Sequence, residues 1–459
     1  MVTHRALISA LLAAAGIALA SGTSSARAAE AAAVNAARPD TPTPNARGSA
    51  PTSSERQTRL PGFGPRVFGD HPTVAQMTEI GRRIFFDQGL SRSGRMACAT
   101  CHDPTRAFGP PNGRDVQLGG PAMNRPGTRA VPTLRYLAGT IPFTEHYIDD
   151  EEAHGEDGGP SGALTWDGHA DSLHEQALIP LFAPHEFANR SPTELAARVR
   201  KSGYAKAFDA AFSAAGEPVF DDPARVLGWL TAALEVYQQS ASDFYPYSSK
   251  YDAFLRHQTT LTDAELRGLA VFNDPGKGNC ASCHPSSIGA NGSLPRFTDS
   301  AYAALGVPRN RRLPANRDPA HVDLGLCEGR AALVEHDQHC GRFKTPTLRN
   351  VAVRQVFFHN GAFHSLQQVV EFYAQRDTNP ERWYGKDRSG QVIKFDDLPA
   401  RYHDNVVTTT PFGGQVGESP RLGARDVSDI VAFLKTLTDG WKAPPEIAPE
   451  ARQVANRLP

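Results

Sequence analysis

Apolar side chains recur at helical spacing along much of the chain, and the strict alternation that marks strands is scarce. Met77, Ile80, Ile84 and Phe85, preceded by the capping residue Thr73, predict a helix over 73–90. A second is predicted to open at Trp166-Asp167-Gly168-His169 and run through Leu173 and Gln176 to about Leu181. Others are expected near 192–214, 222–241 and 425–437, the last with Val427, Ile430, Val431 and Leu434 on one face. Residues 103–130, rich in Gly, Pro and Asn, read as a long loop, and the acidic stretch Asp149 to Gly162 as a solvated insertion. Residues 30–60 hold almost no large apolar side chain and read as a disordered linker. Before them, Arg5, the apolar run Ala6 to Ala20 and the small-x-small site Ala26-Arg27-Ala28 give residues 1–29 the form of an export signal, with an earlier cut after Ala20 as the alternative. That run is shorter than the ~20 residues of a membrane span, and no later segment qualifies. Residues 443–459 read as an irregular tail. The expectation is an all-α protein with few or no strands.

A chain of 459 residues suits about two or three domains. Its 48 basic and 49 acidic residues leave a net charge of −1, which offers no footprint for nucleic acid or an anionic membrane. Export changes the meaning of the six cysteines, because disulfides persist outside the cytosol. Cys327 and Cys340 are expected to form a structural disulfide, in preference to a metal or redox role.

The apolar pattern also repeats. Gly81, Phe85 and Asp87 return at the same offsets as Gly268, Phe272 and Asp274. Pro132-Thr133-Leu134-Arg135 returns as Pro346-Thr347-Leu348-Arg349, and Gly168, Ser172 and Leu173 return as Gly361, Ser365 and Leu366. Within each copy stands Cys-x-x-Cys-His: Cys98, Cys101 and His102 in the first, Cys280, Cys283 and His284 in the second. This spacing attaches c-type haem, the thiols forming thioethers to the vinyl groups and the imidazole ligating the iron. Two haem-binding units follow, each a small helical cytochrome c-like domain: 61–255 and 256–442. Covalent haem of this kind points to the periplasm of a bacterium.

Phe85-Phe86-Asp87-Gln88-Gly89-Leu90-Ser91, Trp166-Asp167-Gly168, Phe343-Lys344-Thr345-Pro346-Thr347-Leu348-Arg349-Asn350 and Phe358-His359-Asn360-Gly361 together resemble the bacterial di-haem cytochrome c peroxidases and their MauG relatives, over about residues 62–440. The resemblance implies that the first haem reacts with hydrogen peroxide and the second transfers electrons. In the family a Trp, a Gln and a Glu follow the first haem at ten-residue intervals, a spacing met by Trp166, Gln176 and Glu186. It implies Trp166 between the haems, Gln176 and Glu186 in the distal pocket, and Glu186 as acid–base. Two departures stand out. Many members close the first haem with a second His from the loop after its motif, yet no His occurs here between His102 and His146, which leaves His169 as the nearest rival ligand. Ordinary members ligate the second haem with a Met fourteen residues beyond the His of the Phe-His-x-Gly motif; here that place is Tyr373, and the chain's methionines are Met1, Met77, Met96 and Met123. MauG is similar in carrying Tyr there, so Tyr373 is the implied iron ligand, against His or water. The family's inter-domain calcium uses an Asn where this chain has Ala130, which leaves backbone carbonyls and water to hold that ion. The implied partners are peroxide and either a small electron-donor protein or an oxidisable protein substrate. The alternatives are a detoxifying peroxidase and, from another class, a non-catalytic di-haem electron carrier.

Overall fold

The computed structural model describes residues 72–147 and 158–443. The expected signal and linker, most of the acidic insertion and nearly all of the tail lie outside them. Among the described residues there are eight α-helices of eight residues or more: α1 Val74–Phe86, α2 Leu173–Phe182, α3 Pro192–Arg200, α4 Ala205–Phe212, α5 Pro223–Gln238, α6 Asp263–Asn273, α7 Leu366–Gln375 and α8 Ala424–Lys435. Strand content among the described residues is limited to two antiparallel pairs of two-residue strands. β1 Leu118–Gly119 pairs with β2 Arg125–Pro126, and β3 Tyr302–Ala303 with β4 Phe343–Lys344. The hairpin β1–β2 interrupts the loop expected over 103–130.

Helix ends follow local chemistry. Thr73 and Gln76 close a capping box on α1, and the Asp87 carboxylate ends it by accepting from the Gly89 amide. The stretch expected as one helix over 192–214 is two, α3 and α4. The helix expected to open at Trp166 begins only at Leu173, where Ser172 caps it. Thr165 and Gly168 both hold φ of +70°, which a right-handed helix cannot contain. The Trp166 segment is therefore irregular backbone.

The repeat is physical. Helix α1 packs chiefly on α5, and α6 on α8. Each crossing is closest at the repeated glycine. A β-carbon on Gly81 would lie 2.0 Å from the Ala233 carbonyl oxygen, and one on Gly268 would lie 1.9 Å from that of Asp429. One turn on, Phe85 meets Tyr237 edge-on and Phe272 meets Phe433 in the same way. Two apolar cores result, one drawn from residues 77–244 and the other from 251–437. Tyr251, four residues before the expected edge at 255, belongs to the second core. The halves are joined by Asp439, which accepts from Arg135 and Tyr136 of the first and from Asn350 of the second.

Candidate haem and peroxide site

Each attachment motif sits on a single helical turn a short loop beyond α1 or α6. Cys98–Cys101 forms one α-turn and Cys280–Ser282 a 3-10 turn. His102 Nδ1 lies 3.0 Å from the Phe108 carbonyl oxygen, and His284 Nδ1 lies 2.8 Å from that of Phe297. A carbonyl only accepts, so Nδ1 carries the proton and Nε2 keeps its lone pair. Burial holds both imidazoles neutral, pushing His102 down to about 4. The repeated Pro-Thr-Leu-Arg segments fix these carbonyls. Thr133 Oγ1 donates to Ala107 O at 2.6 Å while the Leu134 amide donates to Phe108 O. Thr347 does the same to Arg296 O at 2.6 Å, and Leu348 to Phe297 O. The motif is thus a brace for the strap that orients each histidine. Arg349 anchors the second brace through a fully buried bidentate pair with Asp252.

A cavity of about 280 Å³ lies beside the second motif, lined by Cys280, Cys283, His284 and apolar groups that include Val369, Val370, Ile430 and Leu434. Tyr373 lines it from α7, its ring stacked on Phe412. Burial raises the Tyr373 phenol far above its ordinary value, with the Cys283 and Cys280 thiols and Arg376 within electrostatic reach. His359 lines the same cavity but lies flat on Phe343, 3.5 Å between ring centres, with Asp323 and Arg129 as its charge neighbours. Tyr373 is thus within electrostatic reach of the motif thiols, and His359 within reach of Asp323 and Arg129.

Trp166 spans the halves. Its indole donates to Ala130 O at 2.8 Å, its own carbonyl accepts from the Lys344 amide, and its ring lines the cavity of His284. The Ala130 amide in turn donates to His359 O. Beside it, Arg129 forms a bidentate pair with Asp323 and a third bond to Asp167.

Glu186 lies in the turn after α2, its carbonyl accepting from Gly120 at the end of the β1–β2 hairpin. Burial lifts its carboxyl to about 7, although 37% of the side chain remains accessible, so the desolvation is incomplete. Its charge is felt by Cys98 and Cys101, which places it on the side of the first attachment motif. His185 Nε2 is 3.7 Å away, too far for a hydrogen bond. Gln176 is half-buried on α2, and nothing in its contacts ties it to Glu186. His169 is exposed.

Sequence reasoning passed over two cations that line the His284 cavity. Lys344, pushed down to about 7 by burial, donates to Gly162 O and Ser300 O. Arg354, lowered by burial to about 10, donates to Val131 O and lies near enough to affect His102. Lys344 stood inside a quoted motif; Arg354 carried no local signal.

These residues fit two c-type haems. The four motif cysteines are free thiols, whereas Cys327 and Cys340 are joined in a disulfide. Each histidine keeps one ring nitrogen for iron, and the second motif opens on a largely apolar space. Together they define a di-haem oxidoreductase with one carboxyl poised beside its first unit.

The chain belongs to the di-haem cytochrome c peroxidase and MauG family, whose model, described as di-haem cytochrome c peroxidase, matches residues 75–260. The methylamine utilization protein MauG of Paracoccus denitrificans is 33% identical over 384 residues, covering 80% of this chain and 90% of that one. The cytochrome c551 peroxidase of Nitrosomonas europaea is 27% identical over 71% of this chain and 80% of its own. Among solved structures, the diheme peroxidase BthA from Burkholderia thailandensis superposes with a TM-score of 0.70 at 40% identity, covering 82% of this chain and 88% of that one.

Proposed function

We propose that the protein is an exported, periplasmic enzyme of two tandem cytochrome c-like units that reacts with hydrogen peroxide at the His102 haem. Cys98 and Cys101 would attach that haem covalently, and Cys280 and Cys283 the second. When bound, the haems supply peroxide binding and the electron equivalents. The chain's own residues do the rest. His102 and His284 present Nε2 from fixed rings. Glu186 takes a proton from the inner peroxide oxygen and returns it to the outer one, the transfer that O–O cleavage requires. A carboxyl near 7 is matched to that task at neutral pH. Gln176 orients the oxygen species. Trp166 couples the two haems, held by one hydrogen bond from each half.

The observation that carries this reading is Glu186: a carboxyl raised by burial, on the side of the Cys98 and Cys101 thiols, with no cation hydrogen-bonded to it and only His185, itself lowered by burial, 3.7 Å away. Its test is Glu186→Gln. Peroxide turnover should fall by about 10²–10⁴-fold with both haem spectra intact; unchanged turnover would remove Glu186 from catalysis.

The MauG-like subgroup is favoured over an ordinary detoxifying peroxidase by Tyr373, which lines the His284 cavity in a half with no Met. A phenolate ligand favours oxidised iron, where a thioether favours reduced iron. The partner would then be an oxidisable protein rather than only a small electron donor. Calcium between the halves would rest on backbone donors and water, and the Ala130 carbonyl is already engaged by Trp166.

A further inference from the structure

Away from both attachment motifs, three metal-binding side chains meet across the seam between the halves. Glu145 Oε1 lies 2.7 Å from His336 Nδ1 and 2.9 Å from His339 Nε2. Among the described residues, these form a group whose candidate ligand atoms all lie within 4.8 Å of one another.

The backbone beneath them is pinned. His336 caps and His339 ends a 3-10 turn closed by the bond from the His339 amide to the His336 carbonyl. The next residue, Cys340, is disulfide-bonded to Cys327. The Asn405 side chain donates to the carbonyls of Asp337 and Cys340. On the other side, the Phe143 amide is held by Asp171, and Thr144 pairs with Ser161. Donors carried on anchored backbone are pre-organised for a ligand. Exposure is graded: His339 is 6% accessible, Glu145 25% and His336 38%. One flank is therefore closed, and the other admits an ion together with a water as fourth ligand.

Two imidazoles and one carboxylate suit a borderline divalent ion. Calcium and magnesium prefer oxygen alone, and copper(I) prefers thiolate or thioether. Tetrahedral zinc with bonds of about 2.0–2.1 Å sets its ligand atoms about 3.3 Å apart, so the carboxylate must withdraw by about half an ångström while the two ring nitrogens, within 4.8 Å of each other, close on the same ion. We propose that Glu145, His336 and His339 bind a zinc(II)-class divalent cation that clips the first half to the disulfide-stapled loop of the second. His339 Nδ1 is buried without a partner, so the ring proton displaced by the metal gains no acceptor there. Affinity should sit about 10–100-fold below that of a site with a complete outer shell.

The test uses the full-length, haem-loaded protein, stripped by a chelator and titrated calorimetrically with zinc(II) chloride. One equivalent should bind to the wild type, and binding should weaken at least about tenfold in Glu145→Gln and in His336→Gln. Unchanged haem absorption would show that both variants are folded. Glu335→Gln, an exposed neighbour outside the triad, should bind as the wild type does. Anomalous diffraction at the zinc edge should place the peak among the three side chains. No uptake, equal uptake by wild type and triad variants, equal loss in Glu335→Gln, or a peak elsewhere would overturn the proposal.

Discussion

A carboxyl group that folding partly strips of water without bonding it to a cation holds its proton to higher pH, and Glu186 is that group here. Its shift from 4.5 to about 7 gives a sign to two measurements. As the first proton acceptor it must be ionised, so the second-order rate with peroxide should rise as pH passes through about 7, and Glu186→Gln should flatten that rise. Because the folded value is raised, the ionised form costs stability above about 7 and nothing below 4.5. Glu186→Gln should therefore raise Tm relative to wild type at pH 8 and leave it nearly unchanged at pH 4. Tyr373→Phe should alter the spectrum of the His284 haem alone; no change would remove Tyr373 as a ligand. At this scale the sequence was informative where chemistry demands fixed spacing, as in the two Cys-x-x-Cys-His motifs. Arg354 and Lys344 escaped it, because a buried cation facing a cavity has no spacing rule.

Helices α1 and α6 show why the repeat is legible in the sequence. Each glycine stands where a partner backbone approaches closer than a β-carbon allows, and each Phe packs one turn later. Gly81→Ala and Gly268→Ala should each cost about 3 kcal/mol by forcing the crossing apart, measured by denaturation of the haem-loaded protein. The Pro-Thr-Leu-Arg braces are milder supports. Thr133→Val removes the 2.6 Å bond to Ala107 O and should cost about 1–2 kcal/mol. Period-3.6 patterning located α1, α5 and α8 to within a few residues. It failed at Trp166, where the pattern suggested a helix and the positive φ of Thr165 and Gly168 forbids one. That irregular segment is what lets the indole and its own carbonyl bond to opposite halves.

Across the whole molecule, the halves meet through charges far apart in sequence. Arg129 and Asp323 are separated by 194 residues, a pairing with no local signature. Burial alone would raise the Asp323 carboxyl, but the bonds and charge of Arg129 outweigh it and bring it to about 2. A depressed carboxylate contributes stability that is present above its unfolded value near 3.8 and lost as pH falls through about 2. Arg129→Met leaves Asp323 buried without its partner and should cost about 3 kcal/mol at pH 7. It should also slow electron exchange between the haems, because Arg129 adjoins the Ala130 carbonyl that holds Trp166. The central proposal, reaction with peroxide at a His102 haem that no His between His102 and His146 can close, coupled to the second haem, is tested most directly by stopped-flow mixing of the fully oxidised protein with one equivalent of hydrogen peroxide. The account expects a prompt change in the absorption of both haems with no electron added. A spectrum that stays fixed until one electron is supplied would contradict it, showing a first haem closed at rest by a ligand the chain conceals.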